Sequence, residues 1–164
     1  MSVRRLVLPL LVCLAASLAT AAPVAAHPTH PGHPSPPAHA RCLPVDATGV
    51  GQDLGGGQTS AAITVGGGQV GTTAAAFTIT GVNGTVASFV GPIVFTGLGG
   101  TLTAQVTGTL DVTTGAFTST STSVSGTGLL RRVTGDLTFT GSEDLKTGAF
   151  TEAIHGVLCL APGH

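Results

Sequence analysis

The stretch TLTAQVTGTLDV (101–112) decides the fold class. Leu102, Ala104, Val106, Leu110 and Val112 fall on one side of an extended chain, and Thr101, Thr103, Gln105, Thr107, Thr109 and Asp111 on the other. Side chains of a strand alternate between faces, so this is a strand with one face buried and one wet. DLTFT (136–140) continues the pattern with Leu137 and Phe139 inward, and AAAFTIT (74–80) pairs Phe77 with Ile79. FVGPIVF (89–95) is an apolar run whose Gly-Pro marks a bend or bulge, because proline cannot donate to a ladder. No window after residue 40 carries a helical apolar stripe, so the class is all-β. Period-two patterning alone does not separate a closed antiparallel barrel of about eight strands from a β-sandwich. The barrel is the first reading and the sandwich the alternative.

Turn chemistry agrees. VNGT (82–85) carries Asn-Gly, a hairpin signal for a type I′ turn. Asn83 also heads an Asn-x-Thr sequon, which the turn explains without a glycan. DVTTGAFT (111–118) returns as DLKTGAFT (144–151). Asp111 and Asp144 are placed to accept backbone N–H groups two or three residues on, and Gly115 and Gly148 to close the loop in the left-handed region. Phe117 and Phe150 then enter the next strands facing inward. The repeat is a hairpin corner used twice. Thr-x-Thr pairs at 78/80, 101/103, 107/109, 118/120 and 138/140 lack the constant period of a stacked solenoid, the form in which ice-binding ladders are built.

Upstream of the strands, Met1 to Arg5 is basic, Leu6 to Ala22 is apolar and PVAA precedes His27. That order reads as a signal peptide over 1–26, cleaved after Ala26, and predicts a secreted protein with no membrane anchor in its mature form. Residues 27–40 are rich in proline and histidine and read as a disordered, extended spacer. His27, His30 and His33 recur at three-residue spacing, which in polyproline geometry sets the rings about 9 Å apart. A zinc ion with bonds of about 2.1 Å does not bridge that gap, so they are weak metal candidates only. The domain proper is 41–164. Its two cysteines, Cys42 and Cys159, one near each end, form an even count in an exported chain and read as a disulfide.

Charge excludes one class of partner. Lys plus Arg number 6, Asp plus Glu 7, and Trp and Tyr are absent. Such a chain has neither the basic face that neutralises phosphates nor the usual stacking platforms, and nucleic acid is excluded. GVGQDLGGG (49–57) holds a fragment of a calcium nonapeptide, but one copy builds no site. No P-loop or Gly-x-Ser-x-Gly elbow is present, and no cofactor is expected. The one suggestive acid is Glu152. In a regular strand it shares a face with Phe150, Ile154 and Leu158, where desolvation raises a carboxyl pKa and suits it to general acid or base work. A bulge or a rim position is the bland alternative. Its counterpart in the repeat is Ser119, so the corner itself needs no carboxylate there. His155 falls on the outer face, Arg131 and Arg132 in an inter-strand loop, and Glu143, Asp144 and Lys146 in a polar turn.

GTGLLRRVTGDLTFTGSEDLKTGAFTEAIHGVLC (126–159) resembles the ends of small exported bacterial proteins of the allene oxide cyclase and dirigent type, through its Gly-x-Gly before a variable corner, the Thr-Gly that opens a strand and the closing cysteine. The resemblance implies an eight-stranded antiparallel barrel with an apolar interior pocket. It carries no catalytic residues over, because the tyrosines of characterised dirigent proteins have no counterpart in a chain without tyrosine. The expected role is a binding or structural module holding a small apolar ligand. A cyclase or isomerase using Glu152 and an envelope protein that meets cell-wall polysaccharide are the alternatives.

Overall fold

The computed structural model describes residues 40–97 and 99–161. Residues 1–26, read as a signal peptide, all but the last of residues 27–40, read as a spacer, and with them His27, His30 and His33, lie outside the described residues. Nine strands follow in order: β1 (Arg41–Gly55), β2 (Gln58–Val65), β3 (Gly68–Ala76), β4 (Thr78–Asn83), β5 (Val86–Gly97), β6 (Gly100–Asp111), β7 (Ala116–Gly126), β8 (Val133–Glu143) and β9 (Ala149–Leu160). A single 3-10 turn, Gly128–Leu130, lies between β7 and β8. All pairings are antiparallel, in the order β3-β2-β1-β9-β8-β7-β6-β5-β4, and an additional β3–β5 ladder joins the ends. The sheet is therefore a closed barrel of eight strands plus one extra strand, β4. Closure removes the edges that a sandwich would leave.

The Gly-Pro in β5 is where that extra strand attaches. β4 pairs with the first part of β5, ending at Thr78↔Val90, and β3 takes over at Ala75↔Ile93. Gly91 and Pro92 sit at the handover, still laddered to β6 on their other side. Pro92 has no N–H to lose there, and a Cβ on Gly91 would strike the Ala76 carbonyl. The predicted bend is thus a change of partner within one strand.

Turns follow the sequence with one correction. The hairpin at Asn83 is present, but its loop is Gly84-Thr85, and Gly84 alone has positive φ, at 61°. Glycine at the first central position is the requirement of a type II′ turn. The double positive φ of a type I′ turn occurs instead at Gly66 and Gly67, 57° and 83°, between Val65 and Gly68. The twice-used corner behaves as expected. Thr113 and Thr114 donate their N–H groups to Asp111 Oδ1 at 2.8 and 3.1 Å, and Lys146 N–H to Asp144 Oδ1 at 2.9 Å. Arg131 and Arg132 are exposed in the loop before β8.

The buried core is apolar and includes Ile63, Leu102, Ala104, Val106, Val133, Leu137, Phe139 and Ile154. The quoted stretch holds its phase through Val106, with Leu102, Ala104 and Val106 buried, but Val112, expected on the same face, falls just past the end of β6 in the turn and is 46% exposed. Cys42 and Cys159 lie opposite each other in the β1–β9 ladder and are disulfide-bonded across 117 residues. Outside, the threonine pairs that are irregular along the chain come into rows. Thr107, Thr120 and Thr138 align across β6, β7 and β8, and Thr109, Thr118 and Thr140 form a second row. Antiparallel hairpins reverse direction at each turn, so equal spacing along the chain is not what aligns side chains across it.

Candidate functional site

An eight-stranded barrel has an interior just wide enough to be filled by side chains or to hold one small ligand. In this one the two ends differ. Toward the disulfide, Leu102 and Val133 are buried, and Val45, Phe95, Leu130, Leu158 and Leu160 are half-buried residues that pack against the core. Toward the other end, where β1, β6 and β8 finish and β2, β7 and β9 begin, the filling is incomplete. A cavity of about 260 Å³ remains there.

Its walls are aromatic because glycines on neighbouring strands let the rings lie across the sheet. A Cβ on Gly108 would fall 2.6 Å from Phe89 Cζ, and one on Gly141 2.5 Å from Phe117 Cζ; Gly51 likewise lies under Phe150. Phe117 and Phe150, the paired products of the repeated corner, meet edge to face with centroids 6.1 Å apart, and Phe77 and Phe89 lie 4.9 Å apart. Phe139, Ala75, Ile79, Ile93 and Leu110 complete the apolar lining.

Glu152 lies in this cavity. It faces Gly49 on β1 and Gly141 on β8, and a Cβ on Gly49 would come within 2.6 Å of its Oε1. Gly49 leaves the space that the carboxyl group occupies, while Gly141 makes room for the Phe117 ring. With little water around it, the ionised form is disfavoured and its pKa rises from the ordinary 4.5 to about 7. The expected inward acid is therefore present, on a regular strand without a bulge. Ser119, its counterpart in the repeat, lines the same cavity and is only 4% exposed.

Two further acids reach the cavity that the sequence reading had placed elsewhere. Glu143, read as part of a polar turn, is the last residue of β8 and lies in phase with the inward Leu137 and Phe139. Desolvation, and then the charge of Asp53, push its pKa upward. Asp53, read as a fragment of a calcium motif, lines the cavity from the end of β1 and accepts the Gly55 N–H at 2.7 Å. The β8 alternation contained the signal for Glu143. For Asp53 the inward neighbours are Gly49 and Gly51, which carry no hydropathy to alternate. His155 is on the outer face, 3.4 Å from Asp46, as its strand phase requires. Among the described residues, no three His, Cys, Asp or Glu side chains are placed to hold one metal ion.

With this geometry in hand, the solved structures supply a likeness. The pterocarpan synthase dirigent protein PsPTS1 superposes with a TM-score of 0.50 at 16% identity, over 75% of this chain and 97% of that one. The fold is a dirigent-type barrel. The Diels Alderase AbmU from Streptomyces koyangensis also matches, with a TM-score of 0.43 at 15% identity, over 76% of this chain and 70% of that one. No protein-family model and no curated protein matches the chain. At these identities the likeness concerns the fold of the dirigent-type barrel alone, and the chemistry of the site rests on its own residues.

Proposed function

We propose that this protein is an exported binding module that takes up a small apolar ligand at one end of its barrel. The observation that carries the reading is the cavity itself, walled by five phenylalanines and reached from the end opposite the disulfide. Pockets of this kind, mostly apolar with a few convergent polar groups, are where small ligands bind. The signal-like residues 1–26 and the Cys42–Cys159 bridge support export, since such bridges persist in oxidising compartments.

The test is a fluorescence titration with the neutral probe N-phenyl-1-naphthylamine. Saturable binding to the wild type, lost in Ser119→Leu and in Ala75→Phe, supports the reading when both variants keep cooperative melting. The two variants block the cavity from opposite walls. Unchanged binding in both sends the probe to the outer surface and refutes it.

A second reading, catalysis of a rearrangement or cyclisation, is favoured by one feature. Glu152 sits in an apolar cavity with a pKa near neutrality, the condition under which a carboxyl group both donates and accepts a proton at physiological pH. Under this reading Glu152→Gln keeps ligand affinity and loses turnover. Turnover that survives the substitution removes Glu152 from the chemistry, and no turnover with any bound ligand returns the protein to the binding class.

A further inference from the structure

All the charge that reaches the cavity is of one sign and on one wall. Asp53, Glu143 and Glu152 come from β1, β8 and β9, three strands that are adjacent in the order β1-β9-β8. The opposite wall, from β2 through β6, is built from residues 54–110, a span without a single Asp, Glu, Lys, Arg or His. No cation lines the cavity. The ion pair His155–Asp46 is outside, and Lys146, in the turn after β8, is exposed.

Two neutral polar residues share the cavity with the acids. Ser119 and Thr73 are 4% and 8% exposed, and both line it. Among the described residues no side-chain N or O sealed from solvent is left without a hydrogen-bond partner. The two hydroxyl side chains add a few polar groups to a mostly apolar pocket, the composition in which small ligands bind.

We propose that the cavity is built for an apolar molecule carrying a cationic nitrogen, with its charge against Asp53, Glu143 and Glu152 and its body against the phenylalanine wall. This rests on the binding reading above and adds the chemical class of the ligand. A cleft lined by one sign of charge with low-dielectric walls concentrates the opposite sign. Phenylalanine faces add to this, because the ring quadrupole attracts cations within about 6 Å. A bare metal ion fits poorly, since the three carboxylates do not converge on one point. An organic cation spans the distance between acids and rings. An anionic ligand would meet three carboxylates and no cation.

The groups facing the charge are the three acids themselves, with Ser119 from β7 and Thr59 and Thr73 from β2 and β3 as neutral neighbours. Cation binding therefore strengthens as pH rises and Glu143 and Glu152 ionise.

Three probes of one shape test this on the mature protein at pH 8 and low salt: 1-naphthylmethylamine, 1-naphthylmethanol and 1-naphthoate, titrated by calorimetry. The amine is expected to bind about tenfold tighter than the alcohol, the size of one charge-assisted hydrogen bond, with naphthoate the weakest. The advantage should disappear in Asp53→Asn/Glu143→Gln/Glu152→Gln and shrink at pH 5. Equal binding of amine and alcohol overturns the cation preference and leaves the binding reading standing, and so does an amine advantage that survives in the triple variant. Failure of all three probes overturns both.

Discussion

Replacing Glu152 by glutamine removes an ionisation that the fold opposes, and the gain in stability should depend on pH in a defined way. The carboxyl group titrates at about 7 in the folded chain against 4.5 when unperturbed. Below 4.5 it is protonated in both states and contributes nothing to the difference. Between the two values the folded state holds the extra proton, so stability falls as pH rises. Above 7 the group is ionised in both states and the full cost is present. At about 1.4 kcal/mol per unit, the difference is about 3 kcal/mol, a ceiling because the carboxyl group is partly open to the cavity. Glutamine keeps the shape and cannot ionise. Urea unfolding at intervals from pH 4.5 to 8.5 should give curves that coincide at the acid end and diverge to a variant more stable by up to about 3 kcal/mol at the alkaline end. Glu143 contributes in the same direction but cancels in the comparison, because both proteins retain it. Parallel curves, or a variant that is less stable at pH 8, would refute the placement of a desolvated carboxyl group in the barrel.

Other outcomes follow from the same geometry. Removing the bridge in Cys42→Ala/Cys159→Ala should cost about 4 to 5 kcal/mol in the chain-entropy account, read as a lower urea midpoint in the variant than in the oxidised protein. Gly49→Ala places a methyl group where Glu152 sits, so it should displace the acid and flatten the pH dependence of stability above 4.5 as Glu152→Gln does, while a melting curve reports the overpacking. Asp111 holds the Thr113 N–H and hydroxyl, the Thr114 N–H and the Thr85 hydroxyl, and these bonds lower its pKa to about 2. Its contribution is present above the unperturbed value of 3.8 and is lost as pH falls toward 2, so Asp111→Ala should lower the melting temperature at pH 6 and lower it less at pH 2.

The barrel wall was legible because threonine and aliphatic residues alternate cleanly in β6 and β8, and Glu152 was legible because Phe150 and Ile154 flank it in phase. The cavity was not. It depends on which glycine lies beneath which ring on a neighbouring strand, as Gly141 does beneath Phe117, and that is a matter of register between segments distant in sequence. Glu143 was obscured by the turn that follows it, because a carboxylate beside Asp144 and Lys146 reads as a solvated corner until strand phase is carried to the end of β8. Asp53 was obscured by glycine, which shows no inward preference. The extra strand β4 was hidden for a different reason: the Gly91-Pro92 pair marks an interruption without stating that a partner is exchanged there.

The placement of the ligand at one end of the barrel is tested most directly by intermolecular nuclear Overhauser effects between N-phenyl-1-naphthylamine and methyl-labelled protein. Contacts to Ile79, Ile93 and Leu110, with none to Val133 or Leu160 at the disulfide end, are the predicted result. Contacts confined to the exposed Val50, Val90 and Val157 on the outer face would contradict it.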